Sequence, residues 1–382
     1  MGKKWRSWPT ARRCRTTRTR SSTSTPTTTT SPTTGDARMA DPGQMAEIWG
    51  RIRKDVIITR TPLRISFAGG GTDFADFYRH DYGAVLSSTI DKYVYVMVKR
   101  HSPLFYEPIR LNYSETELAS NLEQINNGIV RESLRLLGIT EPIYISTIAD
   151  LPSGSGLGSS SSFAVGLLNA LHTMRGERVS SWQLAEEACR VEIEMLYKPI
   201  GKQDQFAAAY GGMNFIRFER DDHVSITSVR SDRKGLHFLF EHLMLFWTGL
   251  SRTSESILAE QKHHTERNMN HLRQMRELAV RLHEMLGNGF DPEKTGELLH
   301  HSWQLKRKLA STITTGKIDE LYERGIAAGA LGGKLCGAGG GGFLMFIVKP
   351  EKRRAVAEAM ADLEYVPIQY EESGSTVLFP HR

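Results

Sequence analysis

The stretch Leu151-Pro-Ser-Gly-Ser-Gly-Leu-Gly-Ser-Ser-Ser-Ser162 limits what this chain can fold into more than any other feature. It follows Ile143–Ile148, a β-branched run that reads as a strand. It leads directly into an apolar run from Ser162 to Thr173 with helical character. Gly154, Gly156 and Gly158 permit positive φ and let the backbone approach a ligand closely. The serines after them open a helix, where N–H groups lack intrahelical partners and the positive end of the helix dipole is exposed. A strand, a tight glycine loop and a helix N-terminus together form a phosphate cradle. The bland readings are a flexible linker or a plain N-cap, and the regular elements on both sides speak against a linker. No Gly-Lys-Ser/Thr ends the loop, so it is not a Walker A loop. Its G-x-G-x-G spacing, with no acid about 20 residues on at the end of a second strand, does not fit a dinucleotide fingerprint either.

Two further glycine-rich turns flank it. Thr61-Pro-Leu-Arg-Ile-Ser-Phe-Ala-Gly-Gly-Gly-Thr-Asp73 runs a strand, Arg64–Ala68, into three glycines and a Thr-Asp pair. That pair also reads as an N-cap for a following helix. Leu331-Gly-Gly-Lys-Leu-Cys-Gly-Ala-Gly-Gly-Gly-Gly-Phe343 precedes a buried strand, Phe343–Val348. So many glycines lose much backbone entropy on folding, which makes sense where a ligand or another backbone comes close. A simple loop is the alternative. Between these turns lie Glu192 and Glu194 on a helix spanning Trp182–Leu196, and then Lys198-Pro-Ile-Gly-Lys-Gln-Asp-Gln205. Asp204 follows Pro199 and Gly201, so it reads as a turn residue, and taken alone as a solvated loop acid.

The remaining elements are mixed. Val56–Thr59 and Asp91–Arg100 read as strands, while Leu118–Leu137, stopped by Gly138, reads as a helix. Arg267–Leu286 sets Leu272, Met275, Leu278, Leu282, Met285 and Leu286 on one helical face, and Glu351–Leu363 is a further helix. There is no regular β-α alternation and no internal repeat, so the expected class is α+β. No apolar run approaches the roughly 18 residues of a membrane span.

Charge is unevenly placed. The 382-residue chain carries a net +6, but residues 1–40 hold nine basic residues and one acid, Asp36. The other 342 residues hold 40 basic and 42 acidic side chains. The basic pI therefore belongs to the N-terminal segment, and the body gives no signal for nucleic acid. Residues 16–34 contain 15 Ser or Thr, too little apolar surface to offset the entropy of folding. Residues 1–53 thus read as a disordered basic tail. It fits a start codon placed upstream of Met39 or Met45, an organelle transit peptide without an amphipathic stripe, or a basic arm. Cys14, Cys189 and Cys336 are too few and scattered for a disulfide framework or zinc site, which points to a reducing cytoplasm. Cys336 beside the third turn reads as a small buried residue, not a nucleophile. His263-His264 and His300-His301 read as surface histidines.

Taken together, TPLRISFAGGGTDF, LPSGSGLGSSSSFAVGLLNAL and KLCGAGGGGFLMFI resemble, in order, the three motifs of the GHMP kinase family, over about residues 56–380. KPIGKQDQFAAAYGG (198–212), WTGLSRTSESIL (247–258) and HSWQLKRKLA (301–310) are most similar to the sugar-1-kinase branch acting on D-glycero-D-manno-heptose 7-phosphate. The fucokinase- and arabinokinase-like enzymes share the general pattern. AGGGTD in place of the galactokinase-like GEHTD puts galactose itself in doubt. The resemblance implies a two-domain α+β fold. Residues 54–220 would form an ATP-binding domain like ribosomal protein S5 domain 2, and residues 221–382 a ferredoxin-like C-terminal domain.

The resemblance also implies roles. ATP would lie on Pro152, Ser153, Gly154, Ser155, Gly156, Leu157, Gly158, Ser159, Ser160 and Ser161. Mg2+ would be held by Ser160 and Glu192, with Glu194 the fallback. Asp204 would be the catalytic base and Arg64 its basic neighbour at the transferred phosphoryl group. Thr72 and Asp73 would bind sugar, with Gly249 in the same region. Gly337, Ala338, Gly339, Gly340 and Gly341 would support the active-site loops. A distal phosphate on the acceptor needs basic partners. Lys198, Lys202, Arg252, Lys306 and Arg307 are the candidates, with Lys202 and Arg252 favoured by their segments. Each is also readable as a solvated surface charge. The implied partners are a small sugar phosphate and ATP, with no nucleic acid or membrane, and the reaction would give a 1,7-bisphosphate for nucleotide-activated heptose. The alternatives are a 1-kinase for L-fucose or L-arabinose, a decarboxylase of the mevalonate branch, and a non-catalytic sensor. The sensor would be expected to lose Ser160, Glu192 or Asp204, and all three are present.

Overall fold

The computed structural model describes residues 56–102, 104–229, 233–250 and 254–379. The expectations for the basic tail and for Arg252 fall outside them. The first sheet is built from β1 (Ile57–Ala68), β2 (Gly83–Arg100), β3 (Ile109–Asn112), β4 (Thr116–Ala119), β5 (Ile143–Ala149), β6 (Met213–Phe218) and β7 (Val224–Ser228). The second comprises β8 (Leu243–Trp247), β9 (Gly332–Leu335), β10 (Phe343–Ile347) and β11 (Glu364–Tyr365). β12 (Thr376–Phe379) returns to the first sheet and pairs antiparallel with β1.

The long strand β2 organises the first sheet. Its central stretch, Leu86–Val98, pairs with β1. Its C-terminal half, Val94–Arg100, takes β5, and its N-terminal half, Gly83–Ser88, takes β6. The strand order is thus β12-β1-β2-β5-β3-β4, with β6 and β7 branching from β2. The β3–β5 pair is parallel and the other pairs are antiparallel. β1 and β2 slip register at Pro62/Leu63, where the proline has no N–H to give the ladder. The separate strand segments expected at Val56–Thr59 and Arg64–Ala68 are therefore one strand running through Pro62.

The second sheet has the order β11-β8-β10-β9, all antiparallel. Counted along the chain this is 4-1-3-2, with helices between β8 and β9 and between β10 and β11. That is the ferredoxin-like arrangement. The fold is accordingly a two-domain α+β fold.

The helix Met269–Gly287 carries the expected face and touches both cores. Leu272, Met275 and Leu278 are buried with the second sheet's core, Ala279, Leu282 and Leu286 with the first. The expected helix Leu118–Leu137 is shorter, and its first part is β4 and a 3-10 turn. Asn126-Asn127-Gly128 breaks it. Asn127 caps Gly128–Leu136 by accepting from Val130 N, and Glu117 accepts from the N–H groups of Asn126 and Asn127. The expected helix Glu351–Leu363 is regular only over Arg353–Ala359. Among the described residues no helix is long and apolar enough to cross a membrane.

Candidate active site

The three glycine turns converge on one cavity of about 660 Å³ between the two sheets' domains. Gly154, Gly156 and Gly158 all take positive φ (73°, 82° and 78°), and Gly158 is the N-cap of the helix Ser159–Met174. The Arg64 N–H donates to the Leu157 carbonyl (3.0 Å), and Ser162 Oγ to the Pro62 carbonyl (2.8 Å). Both bonds tie the loop to β1. Ser153, Gly154, Gly156, Gly158, Ser159, Ser160 and Ser161 line the cavity. Pro152 is exposed, and Ser155 and Leu157 are buried outside the lining.

The third turn lies directly against the first. A Cβ on Gly337 would sit 2.3 Å from the Gly156 Cα, and one on Gly156 would sit 2.7 Å from the Cys336 carbonyl oxygen. Only backbones without side chains come this close. Gly337 and Ala338 reach the cavity. Gly339, Gly340 and Gly341 stand behind it, the Gly340 N–H on the Ile313 carbonyl and Gly341 against Leu250.

Arg64 is the hinge between loop and acid. Its Nε and Nη2 donate to the two oxygens of Asp204 (2.7 and 2.6 Å), and Nη1 donates to the Gly156 carbonyl (2.7 Å). The arginine side chain is almost wholly buried, while Asp204 keeps about a quarter of its surface open to the cavity. Asp204 is not the turn residue expected. It sits in the first turn of the helix Gln203–Tyr210, and the Pro-Gly turn ends just before it.

Glu192 is fully buried and still lines the cavity. The expected helix Trp182–Leu196 is α-helical only over Ser181–Cys189 and becomes a π-helix over Arg190–Met195. Such wide turns recur at functional sites because they redirect side chains. Glu192 turns inward to the cavity, and Glu194, the fallback, faces solvent outside its lining. The Glu192 carboxylate accepts from Ser160 Oγ (2.6 Å), Ser161 Oγ (2.7 Å), Gln205 Nε2 (2.8 Å) and Lys198 Nζ (3.1 Å). Lys198 Nζ also donates to Ser160 Oγ at 3.0 Å. Its ammonium thus stands where a cation would meet both oxygens. Hydroxyl and carboxylate oxygens are hard donors of the kind Mg2+ takes, with phosphates and waters completing the shell. Among the described residues no cluster of three or more His, Cys, Asp or Glu forms a metal site.

Opposite the loop, Asp73 is buried. Its Oδ1 accepts from Gly71 N (2.9 Å), and its Oδ2 from Gln203 N (3.3 Å) and Gln203 Nε2 (3.0 Å). Burial raises its pKa above the usual carboxylate value; the Gly71 N–H opposes this and the nearby Asp204 charge adds to it. Thr72 does not reach the cavity. Its hydroxyl is spent on the Gly69 and Ala84 backbones and holds the turn shut. Lys202 also turns away, with its Nζ on the Asp222 carbonyl (3.4 Å) and over the Tyr78 ring. Arg307 pairs with Asp319 at 2.9 Å, and Gly249 is outside the lining. Of the basic candidates, Lys198 and Lys306 line the cavity.

Sequence reasoning missed Lys334, Ser66, Gln203 and Gln261, which also line it. Lys334 lies within the third motif, and Ser66 within the first, between residues that drew attention for their glycines. A lysine set among the glycines of the third motif was the available signal.

A phosphate cradle facing an arginine-clamped carboxylate across a polar cleft defines an ATP-dependent kinase for a small hydroxyl-bearing molecule. Family models agree: that for the GHMP kinases N terminal domain matches residues 110–212, and that for the GHMP kinases C terminal domain matches residues 272–365. The D-glycero-alpha-D-manno-heptose 7-phosphate kinase of Campylobacter jejuni is 30% identical over 80% of this chain and 93% of its own length. A galactokinase of Pyrococcus furiosus is 24% identical over 80% and 92%. The solved structure of a D-glycero-D-manno-heptose 1-phosphate kinase from Bacteroides thetaiotaomicron superposes with a TM-score of 0.70. It covers 85% of this chain and all of that one, at 23% identity. The chain belongs to the GHMP kinase family and is a sugar kinase that uses ATP.

Proposed function

We propose that the protein transfers the γ-phosphoryl group of ATP to the anomeric hydroxyl of D-glycero-D-manno-heptose 7-phosphate, giving the 1,7-bisphosphate for nucleotide-activated heptose. The observation that carries this reading is the Arg64–Asp204 pair, open to the same cavity as the glycine loop and Asp73. The 30% identical relative of that name supports the choice of acceptor.

Phosphoryl transfer depends on positioning and charge neutralisation more than on covalent help. The N–H groups that open the helix Ser159–Met174 hold the ATP phosphates. Ser160 and Glu192 would hold Mg2+, which when bound neutralises charge on the β- and γ-phosphates. Asp204 accepts a hydrogen bond from the anomeric hydroxyl and takes its proton as the new O–P bond forms. An anomeric hydroxyl is more acidic than an ordinary alcohol, so a carboxylate is a sufficient base. Arg64 fixes both Asp204 oxygens and faces the charge that develops on the transferred group. Asp73 and Gln203 orient sugar hydroxyls on the opposite wall. The setting is cytoplasmic, which suits Cys189 and Cys336 as buried free thiols.

The test is ADP release with Mg-ATP across D-glycero-D-manno-heptose 7-phosphate, L-fucose, L-arabinose and galactose, with ³¹P NMR of each product. A 1,7-bisphosphate from the heptose phosphate alone is the expected result. Preference for a free sugar would replace the acceptor and leave the phosphoryl-transfer roles standing.

A further inference from the structure

Two of the lysines that line the cavity have no carboxylate within ion-pair distance among the described residues. Lys306, at the end of the helix Pro292–Lys306, and Lys334, on β9, are both buried. Lys306 Nζ donates to the Gly337 carbonyl, and Lys334 Nζ to the Phe67 carbonyl at 3.2 Å. Each therefore has one neutral acceptor, and among the described residues neither has a carboxylate within ion-pair distance. Nearby, Ser66 Oγ lines the same cavity and has no hydrogen-bond partner. An ammonium taken out of water without a counter-charge costs several kcal/mol, so two together are retained against a strong cost. Burial holds both below the usual lysine value, Lys306 at about 8 and Lys334 at about 7; Lys306 and Arg64 lower Lys334 further, whereas Cys336, Asp73 and Asp204 raise Lys306 against burial and Arg64.

The other cations lining the cleft are already matched. Arg64 is satisfied by Asp204, and Lys198 by Glu192. The ATP phosphates have the helix N-terminus of Ser159–Met174. Lys334 instead touches the end of β1 at Phe67, next to Ser66 and the glycine turn that carries Asp73. We propose that Lys306 and Lys334, with the Ser66 hydroxyl, form a receptor for a phosphate group carried by the acceptor substrate. This rests on the reading of the acceptor as a sugar phosphate. A phosphate dianion matches two ammonium groups, and charge-assisted bonds in a closed site are strong. A free sugar would leave both cations uncompensated, so the same pair discriminates against it.

The test compares wild type, Lys334→Met and Lys306→Met on D-glycero-D-manno-heptose 7-phosphate and on the unphosphorylated heptose, with the Kd for ATP measured in parallel. The expected result is that wild type prefers the 7-phosphate. Each variant then raises KM for it at least tenfold, shrinks the preference by the same factor, and changes the Kd for ATP less than twofold. Thermal shifts by the two sugars give the same comparison without turnover. Melting of the unliganded variants is followed beside this, since methionine removes a buried charge and also the donor to the Gly337 or Phe67 carbonyl. A wild type that prefers the free heptose overturns the acceptor reading and the receptor together. A wild type that prefers the 7-phosphate, with variants that keep the preference or lose ATP affinity instead, overturns the receptor alone.

Discussion

Arg64 and Asp204 meet as a two-point fork, Nε to Oδ1 at 2.7 Å and Nη2 to Oδ2 at 2.6 Å. A planar guanidinium matches both carboxylate oxygens at once, which a lysine ammonium does not do. The fork fixes the carboxylate plane beside the glycine loop, because the third guanidinium nitrogen binds the Gly156 carbonyl. Asp204→Asn keeps the shape and removes the proposed base. It is expected to lower kcat by roughly 10²- to 10⁴-fold with little change in KM for ATP. Arg64→Lys should also lower kcat while leaving the chain folded. Steady-state kinetics of both variants check this, and an Asp204→Asn enzyme with intact turnover would remove Asp204 from the chemistry.

Glu192 receives four donors while fully buried, and it is the carboxylate partner of Lys198. Glu192→Gln retains the volume and loses the charge. The Mg2+ concentration for half-maximal rate is expected to rise at least tenfold, and chelation by EDTA should abolish turnover of wild type. Glu192→Ala should also unfold more easily, since each donor left buried without a partner costs about 1–3 kcal/mol. Titration of the rate with Mg2+, beside thermal melting, separates the two effects. An unchanged Mg2+ dependence in Glu192→Gln would assign the carboxylate to structure alone.

The glycine loop was legible because its strand, its glycines and its helix lie adjacent in the chain. Arg64 and Asp204 are 140 residues apart, and no local pattern joins them; the family motif did. Asp204 was misplaced because Pro199 and Gly201 mark a turn that ends just before its helix begins. Glu192 was placed on a helix, but the π-turn that rotates it inward has no periodic signature. Lys202 looked suitable by segment, yet its side chain turns to Asp222 and Tyr78. Lys334 went unnoticed because a lysine on a short buried strand signals only once the cavity beside it is known.

A buried histidine gives the first domain a pH-dependent clasp. His172 Nδ1 lies 2.6 Å from Glu177 Oε2, and Nε2 lies 2.7 Å from Glu187 Oε2. Burial works against the imidazolium, but the two carboxylates outweigh it and raise the His172 pKa above 6.5. Burial likewise raises the Glu187 value, yet the His172 hydrogen bond leads the effects that bring it net below 4.5. The histidine's contribution to stability is therefore fully present below about 6.5 and is lost as pH rises through the folded value. The Glu187 contribution is present above 4.5 and is lost as pH falls through its lower folded value. Melting temperature followed from pH 5 to pH 9 should fall more in wild type than in His172→Gln on the alkaline side. Parallel curves for the two proteins would show that the clasp carries no charge.

The contact between the first and third glycine turns can be tested against an ordinary glycine of the same chain. Gly156 has φ of 82°, and a Cβ there would meet the Cys336 carbonyl oxygen at 2.7 Å. Gly138, at the end of the helix Gly128–Leu136, has φ of 63° and open space around its Cβ position. Both substitutions by alanine incur the left-handed backbone penalty of about 1–2 kcal/mol. Only Gly156→Ala must also push the two loops apart, and the Gly156 carbonyl is the acceptor that orients Arg64. Gly138→Ala should lower melting by a few degrees and leave kcat and both KM values unchanged. Gly156→Ala should lower melting further and reduce kcat/KM for ATP at least tenfold, because the phosphate loop and the Arg64 fork shift together. Equal kinetics in the two variants would mean that the loops yield without disturbing the site, and that the close approach of Gly156 to Gly337 serves packing only.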